Sequence, residues 1–407
     1  MLVKYLLPTL AAVGSVAAQS GVCTTTATIN SQAEATQLAS CRSIKGSVVI
    51  APGAGPDIDI SGPSEITGDL TIINNGGIGS LTANDLTKIG GTFLARNVTK
   101  LGTLAFPKLG SVQSLNWQSL NNLDTLKIAL TQAVNVTISD TFLRSLDGID
   151  LTSVASLDIN NNKRLTSFVS SLANLSNTLT INANGLELAV ALDKLIWIAN
   201  MQISNVTSFS VSALKVVNSS ARFDSNYFET FSAPNLTQTT TNDISFVGNA
   251  KLKNITLPRL TSIGGALLIA NNTALGKVNG FPQLANINGA VKMRGNFTTV
   301  EFPSLDVVKG AFDISSTANI DDTCKNFEKQ APTTQGGNND IQGKYSCTSD
   351  NADANSDTSS TTGGSGSGSN SGSGNGNGSD TNKNSAARLT GTTAALVLAA
   401  LVAFQAL

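Results

Sequence analysis

The chain has 407 residues, of which 13% are charged, about half the share of an ordinary soluble domain. Its 26 basic and 27 acidic residues leave a net charge of −1, too little positive surface for nucleic-acid binding through phosphates. Histidine is absent, which removes Ser-His-Asp and Cys-His catalysis, most zinc sites and any imidazole pH switch.

Residues 1–18 open with Met1 and one cation, Lys4, and then run apolar from Tyr5 to Val16. The small residues Val16-Ala17-Ala18 suit cleavage before Gln19, and the run is too short to span a bilayer. This segment reads as a secretory signal peptide. The oxidising route that it implies makes disulfides the expected state of Cys23, Cys41, Cys324 and Cys347. Of three connectivities, nearest-neighbour pairing is favoured, Cys23 with Cys41 and Cys324 with Cys347. Each loop would close one end of the array described next and contribute on the order of 3 kcal/mol.

From residue 19 to 348 the sequence repeats. Strand-like anchors recur at Ile50, Ile72, Leu94, Trp117, Ile138, Ile159, Ile181, Ile203, Phe223, Phe246, Ile269, Met293 and Ile314, at intervals of 20–24 residues. A period of that size means a solenoid, in which each unit buries its apolar side only against its neighbours. The local pattern is L-x-I-x-x-N, as in Leu157 to Asn162, Leu179 to Asn184 and Leu267 to Asn272. The asparagine stands three residues after the anchor at Asn75, Asn97, Asn162, Asn184, Asn226, Asn249, Asn272 and Asn296. These amides are expected to stack as a ladder that satisfies otherwise costly buried polar groups. Units around Trp117, Ile138 and Ile203 lack the asparagine, so the ladder should be interrupted.

A second element lies between strands: Phe106-Pro107-Lys108-Leu109, Ala233-Pro234-Asn235-Leu236, Leu257-Pro258-Arg259-Leu260, Phe281-Pro282-Gln283-Leu284 and Phe302-Pro303-Ser304-Leu305. Proline marks a corner, and the glycines that follow in Ile263-Gly264-Gly265 or Val308-Lys309-Gly310 suit tight entry into the next strand. Connections this short hold no crossover helix. The expected fold is all-β, a right-handed parallel β-helix or leucine-rich-repeat-like solenoid of about 13 coils, roughly 60 Å long at about 4.8 Å per coil.

From 349 to 384 the chain turns to Ser, Gly, Asn, Thr and Asp, a composition that builds no core and reads as a flexible stalk. Residues 385–407 end in an apolar tail, Ala394 to Leu407, behind a polar spacer and the small triplet Asn384-Ser385-Ala386. That order reads as a GPI-attachment signal whose propeptide is removed, with Asn384 lipidated and Ser385 the alternative.

The L-x-I-x-x-N strands and F-P-x-L connectors resemble the receptor L domain, a leucine-rich-repeat relative. Joined to a signal peptide, stalk and GPI signal, they resemble the fungal extracellular-mutant/sporulation-specific family of GPI-anchored cell-wall organisation proteins. The resemblance implies a surface glycoprotein of the plasma membrane or wall that acts in wall integrity, with the GPI lipid as a partner.

Ten N-x-S/T sequons occur. Asn135, Asn174, Asn205, Asn218, Asn235, Asn254 and Asn271 are the favoured glycan acceptors; Asn97, Asn296 and Asn377 rank below them, the first two because a ladder amide carries no glycan. No cofactor or metal is expected. The rival to a structural or binding role is a wall-polysaccharide enzyme, which needs two carboxylates in one groove. The pairs on offer, Asp57/Asp59 and Asp321/Asp322, read better as solvated turn and helix-start acids. For binding, cell-wall glucan is the candidate ligand; Trp117, Trp197, Tyr227 and Phe228 are the aromatics weighed for stacking on sugar, with Trp117 and Trp197 read as core. A receptor for a protein ligand, the third reading, requires a sheet face free of sequons.

Overall fold

The computed structural model describes residues 21–355; the signal segment, most of the stalk and the GPI signal lie outside them. Within these residues the chain winds as a parallel β-solenoid of about 13 turns. Each complete turn contributes a strand to three faces. A short strand such as Glu65–Ile66 or Ser262–Ile263 lies on the first face, a longer one such as Leu70–Ile73 or Leu267–Ala270 on the second, and one such as Ser80–Thr82 or Asn254–Thr256 on the third. Where the first corner is shallow, as in Lys88–Arg96 and Ser111–Leu120, one strand serves both faces. The ladders among the described residues are parallel, with bulges where some first-face strands run into the second face. Along the second face Ile138 pairs with Ile159, Ile159 with Ile181, and Ile181 with Ile203.

Alternation decides which side chains enter. On the second face Leu157 and Ile159 are buried while Asp158 and Asn160 point outward, and this repeats turn after turn. The proline connectors are i to i+3 turns, with Leu260 N–H donating to Leu257 O at 3.2 Å and Leu305 N–H to Phe302 O at 3.1 Å. Proline at the second position presets the turn, and the apolar residues on either side are buried. Glycines follow several first-face strands, such as Gly289 after Asn286–Ile287 and Gly310 after Val307–Val308, where the coils approach closely. A Cβ on Gly289 would lie 2.6 Å from the carbonyl carbon of Gly265 in the preceding turn, and one on Gly310 would lie 2.7 Å from Gly289.

The second corner holds the amides. Asn162 Nδ2 donates to Ile138 O at 2.9 Å, while its Oδ1 accepts from Thr141 N and Oγ1. Asn184 continues the column by accepting from Asn162 N at 3.0 Å and Nδ2 at 3.1 Å. A second run links Asn226, Asn249 and Asn272, each Oδ1 accepting from the preceding asparagine and each Nδ2 reaching a carbonyl of the turn before. Asn75 stands at the same corner, bonded to Ala51 O and Ala54 O. Thr141 takes part as a hydroxyl, and Val206, which lacks an amide, still donates its N–H to Asn226 Oδ1 at 3.2 Å.

Two of the expected ladder members stand elsewhere. Asn97 is exposed with φ +54°, because Ala95, not Leu94, pairs with Ile72 and takes the inward place. The small Ala95 leaves room for Trp117, which packs edge-on against Phe93 at 5.5 Å, and Val98 then occupies the ladder position. Asn296 is half-buried and turned outward: Phe297 fills the interior, and the amide donates to Thr273 O and accepts from Thr317 Oγ1. The run of amides therefore ends at Asn272.

Both ends are capped. Helix α1, Gln32–Gln37, starts at Ser31, whose Oγ accepts from Glu34 N, and the Cys23–Cys41 disulfide is buried beside it. Helix α2, Asp321–Glu328, sets Phe327 on Phe312 and Phe302, and its Cys324 is bonded to Cys347 of the last strand. Tyr345 Oη donates to Cys324 O at 2.7 Å, and burial pushes its phenol up to about 12. Residues 349–355, placed in the stalk on composition, pack onto these turns: Asn351 N–H donates to Ser316 O and Ala354 is buried.

Asn249→Ala leaves Asn226 N–H and Phe223 O without partners in a dry corner, so denaturant unfolding should show a loss of about 3 kcal/mol. Asn97→Gly, at an exposed site whose φ of +54° glycine adopts freely, should change stability by less than about 0.5 kcal/mol.

Candidate functional site

Register turns each outward position of the second face into a straight column. One column runs Asn116, Thr137, Asp158, Thr180, Gln202 and the next Gln118, Ser139, Asn160, Asn182. These side chains are tied to one another. Gln118 Nε2 donates to Asn116 Oδ1 at 2.8 Å, Ser139 Oγ to Asn160 Oδ1 at 2.6 Å, and Asn160 Nδ2 to Asp158 Oδ1 at 2.8 Å. Charge bounds this stretch on both sides: Arg96 pairs with Gln118 on the preceding rung, and beyond Gln202 come Arg222, Asp224, Lys292 and the Arg294–Asp313 pair.

Burial pushes the Asp158 carboxyl above its ordinary value, against the lowering effect of the Asn160 amide. Asp224 is raised for the same reason, with Arg222 3.9 Å away opposing it and Oδ1 without a hydrogen-bond partner. They stand on different rungs, with the strands Asn174–Asn182 and Trp197–Ser204 between them, about 14 Å apart along the stack. That exceeds the spacing of roughly 5–10 Å that glycoside hydrolysis uses.

The other carboxylates fit catalysis no better. Asp57 and Asp59 are exposed on the third face, and Asp59 accepts from Ser61 N at 2.8 Å. Asp321 and Asp322 form the first turn of α2, where they meet the positive end of the helix. A shallow depression lined by Asp150, Val169, Ser171, Asp193 and Lys194 does collect two carboxylates. Asp150 accepts from Ser171 N, and the Ser210 hydroxyl, with Ser212 N–H, holds Asp193 below its ordinary value. A general acid requires the opposite shift.

The sequons surround the second face without entering these columns. Asn97, Asn205 and Asn271 lie at its far corner with φ +54°, +60° and +57°. Asn135 and Asn218 stand at the near corner, Asn174 on the first face, Asn254 on the third and Asn235 in a proline connector. Asn97, Asn135, Asn174, Asn218 and Asn254 are exposed, so the expected burial of Asn97 does not hold. Asn205, Asn235, Asn271 and Asn296 are half-buried, and Asn235 Nδ2 donates to Ser212 O. Asn377, Asn384 and Ser385 lie outside the described residues.

Of the aromatics, Trp117 and Phe228 are core and Tyr227 is half-buried. Trp197 departs from the core reading. It is half-buried on the outer side of the first face beside Asn174 and Val216, because Ile198 takes the inward place.

These features define a disulfide-capped parallel β-solenoid with an amide-lined corner and an open polar sheet face. A family described as Ecm33, GPI-anchored cell wall organization protein, matches residues 1–39. Protein ecm33 of Aspergillus fumigatus is 35% identical over 350 residues, covering 84% of this chain and 85% of the relative. A cell surface GPI-anchored protein of Arthroderma benhamiae is 32% identical over 84% of this chain and 87% of its own length. Sporulation-specific protein 2 of Saccharomyces cerevisiae is 33% identical over 76% of this chain and 62% of its own. The chain belongs to the Ecm33 family of GPI-anchored cell wall organization proteins. No solved structure matches it.

The raised carboxyl of Asp158 sets a pH dependence. The folded state binds this proton more tightly than the unfolded chain, so stability falls as pH rises from the ordinary carboxylate value through the raised one. Asp158→Asn, which keeps an acceptor for Asn160, should raise the thermal midpoint at pH 7. The gain should vanish below both values.

Proposed function

We propose that this protein is a GPI-anchored surface glycoprotein that organises the fungal cell wall as a structural and binding element, without catalysing a reaction. The observation that carries this reading is family membership over 84% of the chain, with relatives named for cell walls and GPI anchors. In this reading residues 1–18 direct secretion, the stalk runs toward residue 384, and residues 385–407 are exchanged for lipid at Asn384, with Ser385 the alternative. N-glycans sit on Asn135, Asn174, Asn218 and Asn254, which are exposed, and on Asn97, whose side chain is also in solvent. Asn205, Asn235 and Asn271 follow, because their half-buried amides must first leave local partners or pockets. Cell-wall glucan is the ligand class, and the lowered carboxyl of Asp193 in the depression argues against a general-acid role there.

Extraction of intact walls tests anchorage. Phosphoinositide phospholipase C, or glucanase after transfer to the wall, should release the protein, and detergent-free buffer should not. Recovery as a soluble secreted protein without either enzyme would overturn the anchor. A deletion strain should become hypersensitive to wall-perturbing dyes, and the intact gene should restore growth.

A further inference from the structure

The ligand of the second face is legible in its chemistry, granted the wall-binding reading above. Five successive rungs, from Ser111–Leu120 to Trp197–Ser204, present two outward columns. Those columns hold amides and hydroxyls with one carboxylate, Asp158, and no Lys, Arg, Glu or aromatic residue. That is unusual where about a quarter of an average domain is charged. A protein partner would need anchors of the Trp, Tyr or Arg type, which these columns lack. An anionic polymer would need cations along its length, and here they stand only at the two ends of the stretch, as Arg96 and Arg222. A neutral polyol needs what is present, donors and acceptors at every step.

Geometry points the same way. The rungs repeat about every 4.8 Å, comparable to the rise of one hexose along an extended glycan. The hydrogen bonds from Gln118 to Asn116, from Ser139 to Asn160 and from Asn160 to Asp158 fix the side chains before a ligand arrives, which lowers the entropy lost on binding. No sequon asparagine among the described residues falls within either column, and the nearest on the same strand is Asn135, two residues before Thr137.

We infer that the second face, between Asn116 and Gln202, binds a linear, uncharged β-linked glucan chain lying along the solenoid axis, roughly one sugar per rung. Without aromatic stacking, each sugar is held weakly and affinity comes from the number of rungs engaged.

The test uses the full-length protein in detergent and co-sedimentation with insoluble linear β-1,3-glucan. Soluble oligosaccharides of increasing length serve as competitors. Competition should strengthen up to about five sugars, one per rung, and then level off. Asn160→Ala combined with Asn182→Ala should weaken binding at least fivefold. Gln202→Asn, which creates an Asn-Ile-Ser sequon on the exposed face, should abolish it when gel mobility shows the added glycan. Thr230→Asn adds a comparable sequon on the third face and should leave binding unchanged. Absence of binding by the unsubstituted protein, equal capture by mannan or chitin, or both face variants binding normally would each overturn the site. If the gene still restores wall-dye resistance in those cases, the wall-organising role stands and only the glucan site fails.

Discussion

In-register parallel stacking is the constraint on which everything else in this molecule depends. Apart from the short turns within it, a coil of 20–24 residues pairs its backbone N–H and C=O groups with the coils before and after. Once one turn is set, the next must repeat its corners, so glycine, proline and asparagine recur at fixed places for separate steric reasons. Glycine allows two backbones to touch at the first corner, proline presets the connector, and asparagine supplies donor and acceptor where the second corner turns inward. A buried amide there would be a liability by itself; in a column each one satisfies its neighbour.

The same repetition leaves two ends that have no neighbour. Exposed strand edges invite pairing with other chains, and both ends carry a helix and a disulfide that cover the last apolar layer. The C-terminal cap is the more elaborate. Phe327 seals the core, Tyr345 bonds to the helix, and residues 349–355 are drawn back across the last turns. The apolar side chain of Ala354 extends the fold into a stretch that composition alone assigns to the stalk.

Much of this architecture can be read directly in the residues, because period, corner chemistry and cysteine spacing are all local signals. What cannot be read is a one-residue choice of face. At Leu94 the larger aliphatic looks like the inward residue, yet Trp117 on the next rung needs the space that only Ala95 leaves, and the extra residue at Gly90-Gly91 shifts the register. Asn97 moves to the surface with it. Asn296 fails for a similar reason, since Phe297 competes for the same interior volume. Trp197 is misread because a run of apolar residues hides which of them alternates outward. Each miss depends on a partner one turn away in space and some twenty residues away in sequence. The polar face was missed more simply: no single rung is distinctive, and the columns exist only after stacking.

Rigidity then gives the surface its use. A flexible chain bearing the same amides would lose conformational freedom with every sugar it held, whereas the solenoid has ordered them in advance. Low charge fits the same purpose. Under the proposed reading, amides and hydroxyls suit a neutral polymer. Asp158 is the exception that the face tolerates, because its neighbour Asn160 satisfies one oxygen while burial keeps its charge costly. Should the proposed glucan site exist, Asp158 would be its one charged acceptor, set in the middle of an otherwise amide and hydroxyl column.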